Sequence, residues 1–295
     1  MKVGYFPGCS LVGSAREFNE SLQAVSRLIK LDLVEIPDWN CCGASSGHAA
    51  DHLLSLALPA RILALAEKTG LRDLLVPCSA CYNRLITTVY ELQANPRLKS
   101  EVRELIELDL KLDVRVRNVL EVLKEAMEAD GSSRIAKPFA HRVACYYGCL
   151  LVRPPKVVQF DRPEDPTSMD ELMQAIGAEP LDWAFKVECC GAGMTLARTE
   201  LVAKLCARIL DDAVARGAET LITACPMCHA NLDMRRGDIE KAAGRTFTIP
   251  VMYVTQAIGL ALGLGPKELG LHRHMVDCGP LLAAATQSST VNLQS

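Results

Sequence analysis

Residues 74–85, LLVPCSACYNRL, run apolar from Leu74 to Val76, stop at Pro77 and open a Cys-x-x-Cys at Cys78 and Cys81. The same design returns at 221–232 as LITACPMCHANL, with Cys225 and Cys228 each 147 positions beyond their counterparts. A short apolar run that ends in a turn and continues with helical spacing reads as a buried strand feeding a helix. Moving back along the chain, NCCGA at 40–44 pairs with ECCGA at 188–192, and VGYFPGC at 3–9 pairs with VACYYGC at 143–149. Ten of the thirteen cysteines thus fall into two constellations of the form C…CCG…CxxC. Matches of this kind at a nearly constant offset are an internal duplication.

Strand and helix signals alternate through both halves. In the first, strands are expected at 2–6, 33–36 and 74–76, with helices at 17–29 and 48–68. In the second, strands at 142–147, around Leu181 and at 220–223 alternate with helices at 168–176 and 199–216. Residues 112–116 and 251–254 repeat one further strand-to-helix pattern after each CxxC. The fold class is therefore α/β: two homologous halves, each a Rossmann-like parallel sheet flanked by helices. The boundary falls in the glycine- and serine-bearing stretch 131–138, giving domains of 1–135 and 136–295. The lone cysteine and the CC pair are separated by 31 residues in the first half and 39 in the second. The extra length is assigned to the proline-rich stretch 153–167, read as an exposed loop.

A hydrophobic fraction of 49%, a charged fraction of 23% and a net charge of −3 describe an ordinary globular protein, with no basic excess for nucleic acid or an anionic membrane. Stretch 251–265, interrupted by Thr255 and Gln256, is too short to span a bilayer. A motif cysteine at position 9 leaves no room for a cleaved leader, so a cytoplasmic, reducing setting is expected. Thirteen thiols there point to metal or redox chemistry rather than disulfide staples.

Structural zinc takes four ligands, usually from two chelating claws, whereas each half here offers five thiols and one claw. Adjacent cysteines do not easily fill two positions on one small ion but can bind different irons of a polynuclear cluster. A regular cubane needs four cysteines, so five suggest a cluster of altered shape. Zinc in one or both halves is the competing reading.

With these motifs in place, the chain resembles the B subunit of heterodisulfide reductase, within the cysteine-rich CCG-domain family. The resemblance runs from Met1 to about Leu282 and takes in both CCG motifs and Lys267-Glu268-Leu269-Gly270-Leu271. It implies two CCG domains and two non-cubane [4Fe-4S] clusters. One would be held by Cys9, Cys41, Cys42, Cys78 and Cys81, the other by Cys149, Cys189, Cys190, Cys225 and Cys228. It also implies a disulfide substrate between the clusters, cleaved reductively to two thiols; in methanogens this would be the mixed disulfide of coenzymes M and B. No ferredoxin-type cysteine run is present, so electrons are expected from another chain; the resemblance implies a ferredoxin-like C subunit fed by a flavin-containing A subunit. The alternatives are an electron-relay component of a glycolate-, lactate- or quinone-coupled dehydrogenase, and a zinc scaffold without activity. One departure concerns the loops: 34 residues separate Cys190 from Cys225, against 35 between Cys42 and Cys78.

His48 and His229 lie next to motifs and are candidate proton donors to a departing thiolate; the plainer role is a helix-start histidine bonded to backbone. Tyr82, Tyr146, Tyr147 and Lys186 are weaker pocket candidates. Cys145 is read as a strand residue, Cys206 as part of an apolar helix stripe and Cys278 as a spare exposed thiol. Stretch 97–128 reads as a solvated amphipathic face. No nucleophilic triad, GxGxxG or P-loop is present.

Overall fold

The computed structural model describes residues 1–44, 47–131 and 134–283. Its first half runs β1 (Lys2–Tyr5), α1 (Gly8–Val12), α2 (Arg16–Leu28), β2 (Asp32–Glu35), α3 (Gly47–Ala50), α4 (His52–Lys68), β3 (Asp73–Val76), α5 (Ser79–Ala94), α6 (Pro96–Ile106), β4 (Arg115–Asn118) and α7 (Val119–Ala126). The second runs β5 (Arg142–Tyr146), α8 (Ser168–Ala175), β6 (Glu179–Pro180), α9 (Thr199–Ala215), β7 (Thr220–Thr223), α10 (Pro226–His229), α11 (Arg236–Ala243), β8 (Val251–Tyr253) and α12 (Val254–Ala261). The strands form two parallel four-stranded sheets, ordered β2-β1-β3-β4 and β6-β5-β7-β8. The topology is the same in both, as the duplication requires. In each, the order reverses between the first and third strands, leaving a crevice beyond their carboxyl ends. Those are the strand ends that carry Cys9 and Cys78, then Cys149 and Cys225.

Three local expectations need correction. The helix expected over 48–68 is broken: Asp51 adopts an extended conformation (φ −157°, ψ 141°), and its carboxylate caps α4 by accepting from the Leu54 amide at 2.8 Å. A short acidic side chain favours this cap over continuing the helix. Stretch 153–167 is not simply exposed. Val158 is buried in the core, and the Asn83 amide donates to the carbonyls of Leu150 and Arg153 at 3.0 and 2.6 Å, pinning the loop to the first half. Cys278 is buried beside His274, with Sγ 3.7 Å from Nδ1. By contrast, Cys145 lies buried on β5 and Cys206 buried on α9, as their patterns indicate.

The halves are interleaved. The final helix of the first, α7, packs on α8 of the second; the final helix of the second, α12, packs on α2 of the first. At the latter contact the Phe18 and Tyr253 rings stack 4.3 Å apart and nearly parallel, and the Ser21 and Thr255 hydroxyls lie 2.7 Å apart, both buried. Glu20 pairs with Arg273, and across the α7–α8 contact Lys124 pairs with Glu171. One continuous apolar cluster runs through both sheets, from Val3 and Phe18 to Val143 and Tyr253. Among the described residues no helix is long and apolar enough to cross a membrane.

Truncating Phe18, which is fully buried, removes the stacked ring at this junction. Phe18→Ala should cost about 3–5 kcal/mol, a typical loss for a buried aromatic. Anaerobic denaturant unfolding followed by circular dichroism measures it; a loss below about 1 kcal/mol would mean that the exchange of helices is not a stability element.

Candidate metal centres

Two glycines set the geometry of the cysteine sites. Gly8 and Gly148 end the turns after β1 and β5 with φ of +65° and +67°, in the left-handed region that residues with a side chain avoid. A Cβ on Gly8 would stand 3.2 Å from Cys81 Sγ, and one on Gly148 would stand 3.0 Å from Cys228 Sγ. The backbone before each lone cysteine therefore brushes the second thiol of its CxxC. Gly43 and Gly191, at φ +75° and +81°, make the matching turns after the adjacent pairs, and their amides point to the Cys41 and Cys189 sulfurs at 3.4 and 3.3 Å.

The thiols meet in pairs. Sγ–Sγ separations are 3.1 Å for Cys42–Cys81, 3.6 Å for Cys190–Cys228 and 3.8 Å for Cys149–Cys189. These are far longer than the roughly 2.05 Å of a disulfide, and all thirteen cysteines are free. Cys42, Cys78, Cys81, Cys190, Cys225 and Cys228 are buried; Cys9, Cys41 and Cys189 are exposed and Cys149 is half-buried. Hydrogen bonds from Cys41 and Cys81 hold the Cys42 thiol down to about 3, with a smaller contribution from the Arg84 charge. Donation from Cys149 holds Cys189 down to about 6, and donation from Cys228 holds Cys225 down to about 7. Their donors, Cys41, Cys149, Cys81 and Cys228, are pushed up in exchange. A thiol kept as thiolate near neutral pH is the form that binds metal.

The second-half CC loop is tied by the Tyr146 hydroxyl, which donates to the Glu188 carbonyl at 2.6 Å, and by Tyr147 and Gly148 amides donating to the Lys186 carbonyl. Asn231 Nδ2 reaches the Cys190 carbonyl at 3.3 Å and its sulfur at 3.6 Å. In the first half Asn40 donates to the Leu58 carbonyl and accepts from Arg61, both at 3.0 Å.

A cavity of about 260 Å³ lies between the halves. The second half contributes Cys149, Cys189, Cys190, Cys225 and Cys228, with Leu150 and Met227 as apolar walls; the first contributes Ser79, Ala80, Asn83, Arg84 and His48. His48 is exposed at its rim. His229 is not on it. Although it follows Cys228, its ring is buried in the opposite direction, with Nε2 3.0 Å from the Val251 carbonyl and its face stacked on Tyr253 at 4.3 Å. Burial pushes this imidazole well below its ordinary range, so it stays neutral. It borders a separate polar cavity with Glu17, Asp233 and Arg273. Neighbours on a helix point about 100° apart, which is why adjacency in sequence misled here. Lys186 is also spoken for, paired with Asp165 and Asp170 at 3.1 and 3.2 Å, whereas Tyr147 does line the cavity, with its hydroxyl donating to Asp170. Tyr82 is buried in the first-half core.

Sequence reasoning missed Ser79, Asn83, Arg84 and Asn231. The available signal was helical phase: Arg84 and Asn231 each stand three residues after the second CxxC cysteine, on the same helix face.

The donor set fits an iron–sulfur group better than a lone ion. Each half gathers five thiols, with neighbouring cysteines held at turns made by glycine in the left-handed region, while zinc takes four ligands. Gly148→Ala should force its Cβ against Cys228 Sγ and strain a left-handed turn by about 1–2 kcal/mol. Reconstituted iron content should fall, whereas Gly237→Ala, in α11 with open space around its Cβ, should retain it. Equal iron in both variants would remove the steric role assigned to Gly148.

The cysteine-rich CCG domain matches residues 3–86 and 143–233, one copy on each sheet. The chain is 32% identical over 284 residues to the 8-methylmenaquinol:fumarate reductase membrane anchor subunit of Wolinella succinogenes, covering 95% of this chain and 99% of that one. It is 30% identical to the B subunit of the ferredoxin/F420H2-dependent CoB-CoM heterodisulfide reductase of Methanosarcina acetivorans, with 94% of both chains covered. A protein of Archaeoglobus profundus, described as like the heterodisulfide reductase B subunit, is 27% identical over 91% of this chain and 93% of its own length. Among solved structures, a hypothetical protein from Helicobacter pylori superposes with a TM-score of 0.74 over 94% of this chain at 15% identity. The chain spans about half (52%) of that protein, and the likeness concerns the fold alone. With the paired motifs, the paired sheets and these relatives in agreement, the chain belongs to the cysteine-rich CCG domain family and is of the same type as the heterodisulfide reductase B subunit.

Proposed function

We propose that the chain is the disulfide-reducing component of a heterodisulfide-reductase-type complex, with two non-cubane [4Fe-4S] clusters on the two sets of five cysteines. The observation that carries this reading is the cavity between the halves, bordered by five thiols of one set and by the segment that follows the CxxC of the other. The overall change is RSSR′ + 2e⁻ + 2H⁺ → RSH + R′SH. When bound, the clusters supply single electrons and iron that can take up a thiolate.

The remaining work falls to the chain. Leu150, Met227 and Ala80 line the cavity with apolar surface that seats an S–S bond and limits water around it. Ser79 brings a buried hydroxyl to the same wall, its Oγ without a hydrogen-bond partner among the described residues. His48, at the rim, is the group placed to give a proton to a departing thiolate, and His229 is not assigned that part because its ring faces the other cavity. Electrons come from a partner, taken to be a ferredoxin-like C subunit fed by a flavin-containing A subunit.

A second reading is favoured by one specific observation, the 32% identity to the Wolinella component of a complex named for menaquinol and fumarate. There the two centres would relay electrons for a quinone-linked reaction and the cavity would take no disulfide. The two readings part on one experiment. Anaerobically reduced complex is mixed with an organic disulfide, and both centre reoxidation and free thiol are followed. Two thiols per disulfide with reoxidation support the catalyst; reoxidation by a quinone analogue but not by any disulfide supports the relay.

Cys42→Ser and Cys190→Ser should each remove about half of the iron and acid-labile sulfide while leaving the other centre's spectrum in place, as expected if each set holds its own cluster. Retention of both centres in either variant would overturn the ligand assignment.

A further inference from the structure

The duplication allows the two sites to be compared residue against residue, and the comparison exposes a difference of charge. The halves match at NCCGA against ECCGA, so Asn40 stands where the second half has Glu188. They match again at CYNRL against CHANL, so Arg84 stands where the second half has Asn231. Both positions adjoin cysteine ligands: one directly precedes the CC pair, the other lies three residues beyond the CxxC on the same helix face. Asn231 shows what that second position reaches, since its amide contacts the Cys190 sulfur at 3.6 Å.

Arg84 keeps its charge. Its Nη2 donates to the Ser55 carbonyl at 3.0 Å, a neutral partner, and its buried Nε has no partner among the described residues. Nor does any carboxylate among those residues pair with it. Arg84 stands about one helical turn beyond Cys81 on α5 and borders the cavity between the halves. Glu188 directly precedes Cys189 and puts a carboxylate where the first half has the neutral amide of Asn40. A second cation, Arg153, lies near Cys149, but both its terminal nitrogens are held by Glu164 at 2.8 and 2.9 Å, which largely cancels it.

We infer that the two centres are electrostatically inequivalent, with Arg84 making the N-terminal centre the more easily reduced and Glu188 making the C-terminal one the harder to reduce. Cluster potentials follow local net charge, hydrogen bonds to sulfur and exposure. An unpaired cation half-buried at one site and a carboxylate at the other act in the same direction. The Asn231 amide opposes them by donating to Cys190 sulfur, but a neutral dipole is weaker than a full charge in a partly buried site. An incoming electron then settles first on the N-terminal side, and the two sulfurs of a substrate disulfide face unlike partners.

This inference rests on the proposed cluster-bearing reading, and one experiment separates the two. The full chain, loaded anaerobically, is titrated potentiometrically while electron paramagnetic resonance follows each centre, with Cys42→Ser and Cys190→Ser assigning the signals. Two midpoint potentials are expected, the higher on the N-terminal centre. Arg84→Asn should lower that one selectively, and Glu188→Asn should raise the other selectively. Each substitution introduces the residue already present at the matching position, and the double variant should bring the two waves together. Arg84→Lys should keep the separation. Glu188 is exposed, so its variant tests the idea even if Arg84→Asn folds poorly. Superposed waves in the unaltered chain, or a separation unmoved by both substitutions at full iron content, would overturn the inequivalence. A chain that takes up no iron or sulfide would instead overturn the cluster reading, and this inference with it.

Discussion

The constraint on which the cysteine sites depend is steric: main chain passes a sulfur atom at about the distance of a van der Waals contact. Gly8 and Gly148 occupy left-handed turns where a methyl group would meet Cys81 or Cys228 at about 3 Å. The placing of the lone cysteines depends on it. A parallel sheet brings the ends of its first and third strands side by side, and the turn after the first must then bend over the claw that follows the third. Glycine does so without a close contact to sulfur or left-handed strain. The sheet order, the crevice and the gathering of five thiols are three aspects of that one arrangement.

Much of this was legible from sequence because two periodicities reinforced each other. The apolar runs 74–76 and 220–223 were bounded by Pro77 and by Ala224-Cys225, and the duplication supplied a second reading of every element. Strand and helix limits accordingly agree with the structure to within a residue or two over most of both halves. The exceptions have identifiable causes. Asp51 stops one helix to cap the next, which a hydrophobic pattern does not register. Cys278 looked spare, yet the path of the tail buries it, beside His274 four residues earlier.

The site was legible in its ligands and opaque in its surroundings. Cysteines declare themselves by type and spacing, whereas the character of His48 and His229 depends on the direction of a ring. Both adjoin motifs; one reaches the thiol-lined cavity and the other turns into a stack with Tyr253. Ser79 and Asn83 became visible only once the halves faced each other, because both border the cavity between them and Asn83 bonds to the second half. The relatives sharpen the question of chemistry, since one is named for a disulfide and another for a menaquinol and fumarate. A shared scaffold serving both is unsurprising where what the protein provides is a cradle and its electrical setting.

The crossed packing of α7 on α8 and of α12 on α2 is the arrangement that two copies of a half-length chain would make as a symmetric homodimer. Joining such copies in one chain would keep both helix contacts while releasing the two halves from identity. A homodimer must carry any charge substitution twice. A fused pair is free to place a cation beside one cradle and an anion beside the other, and so to acquire a polarity that no twofold-symmetric ancestor could possess.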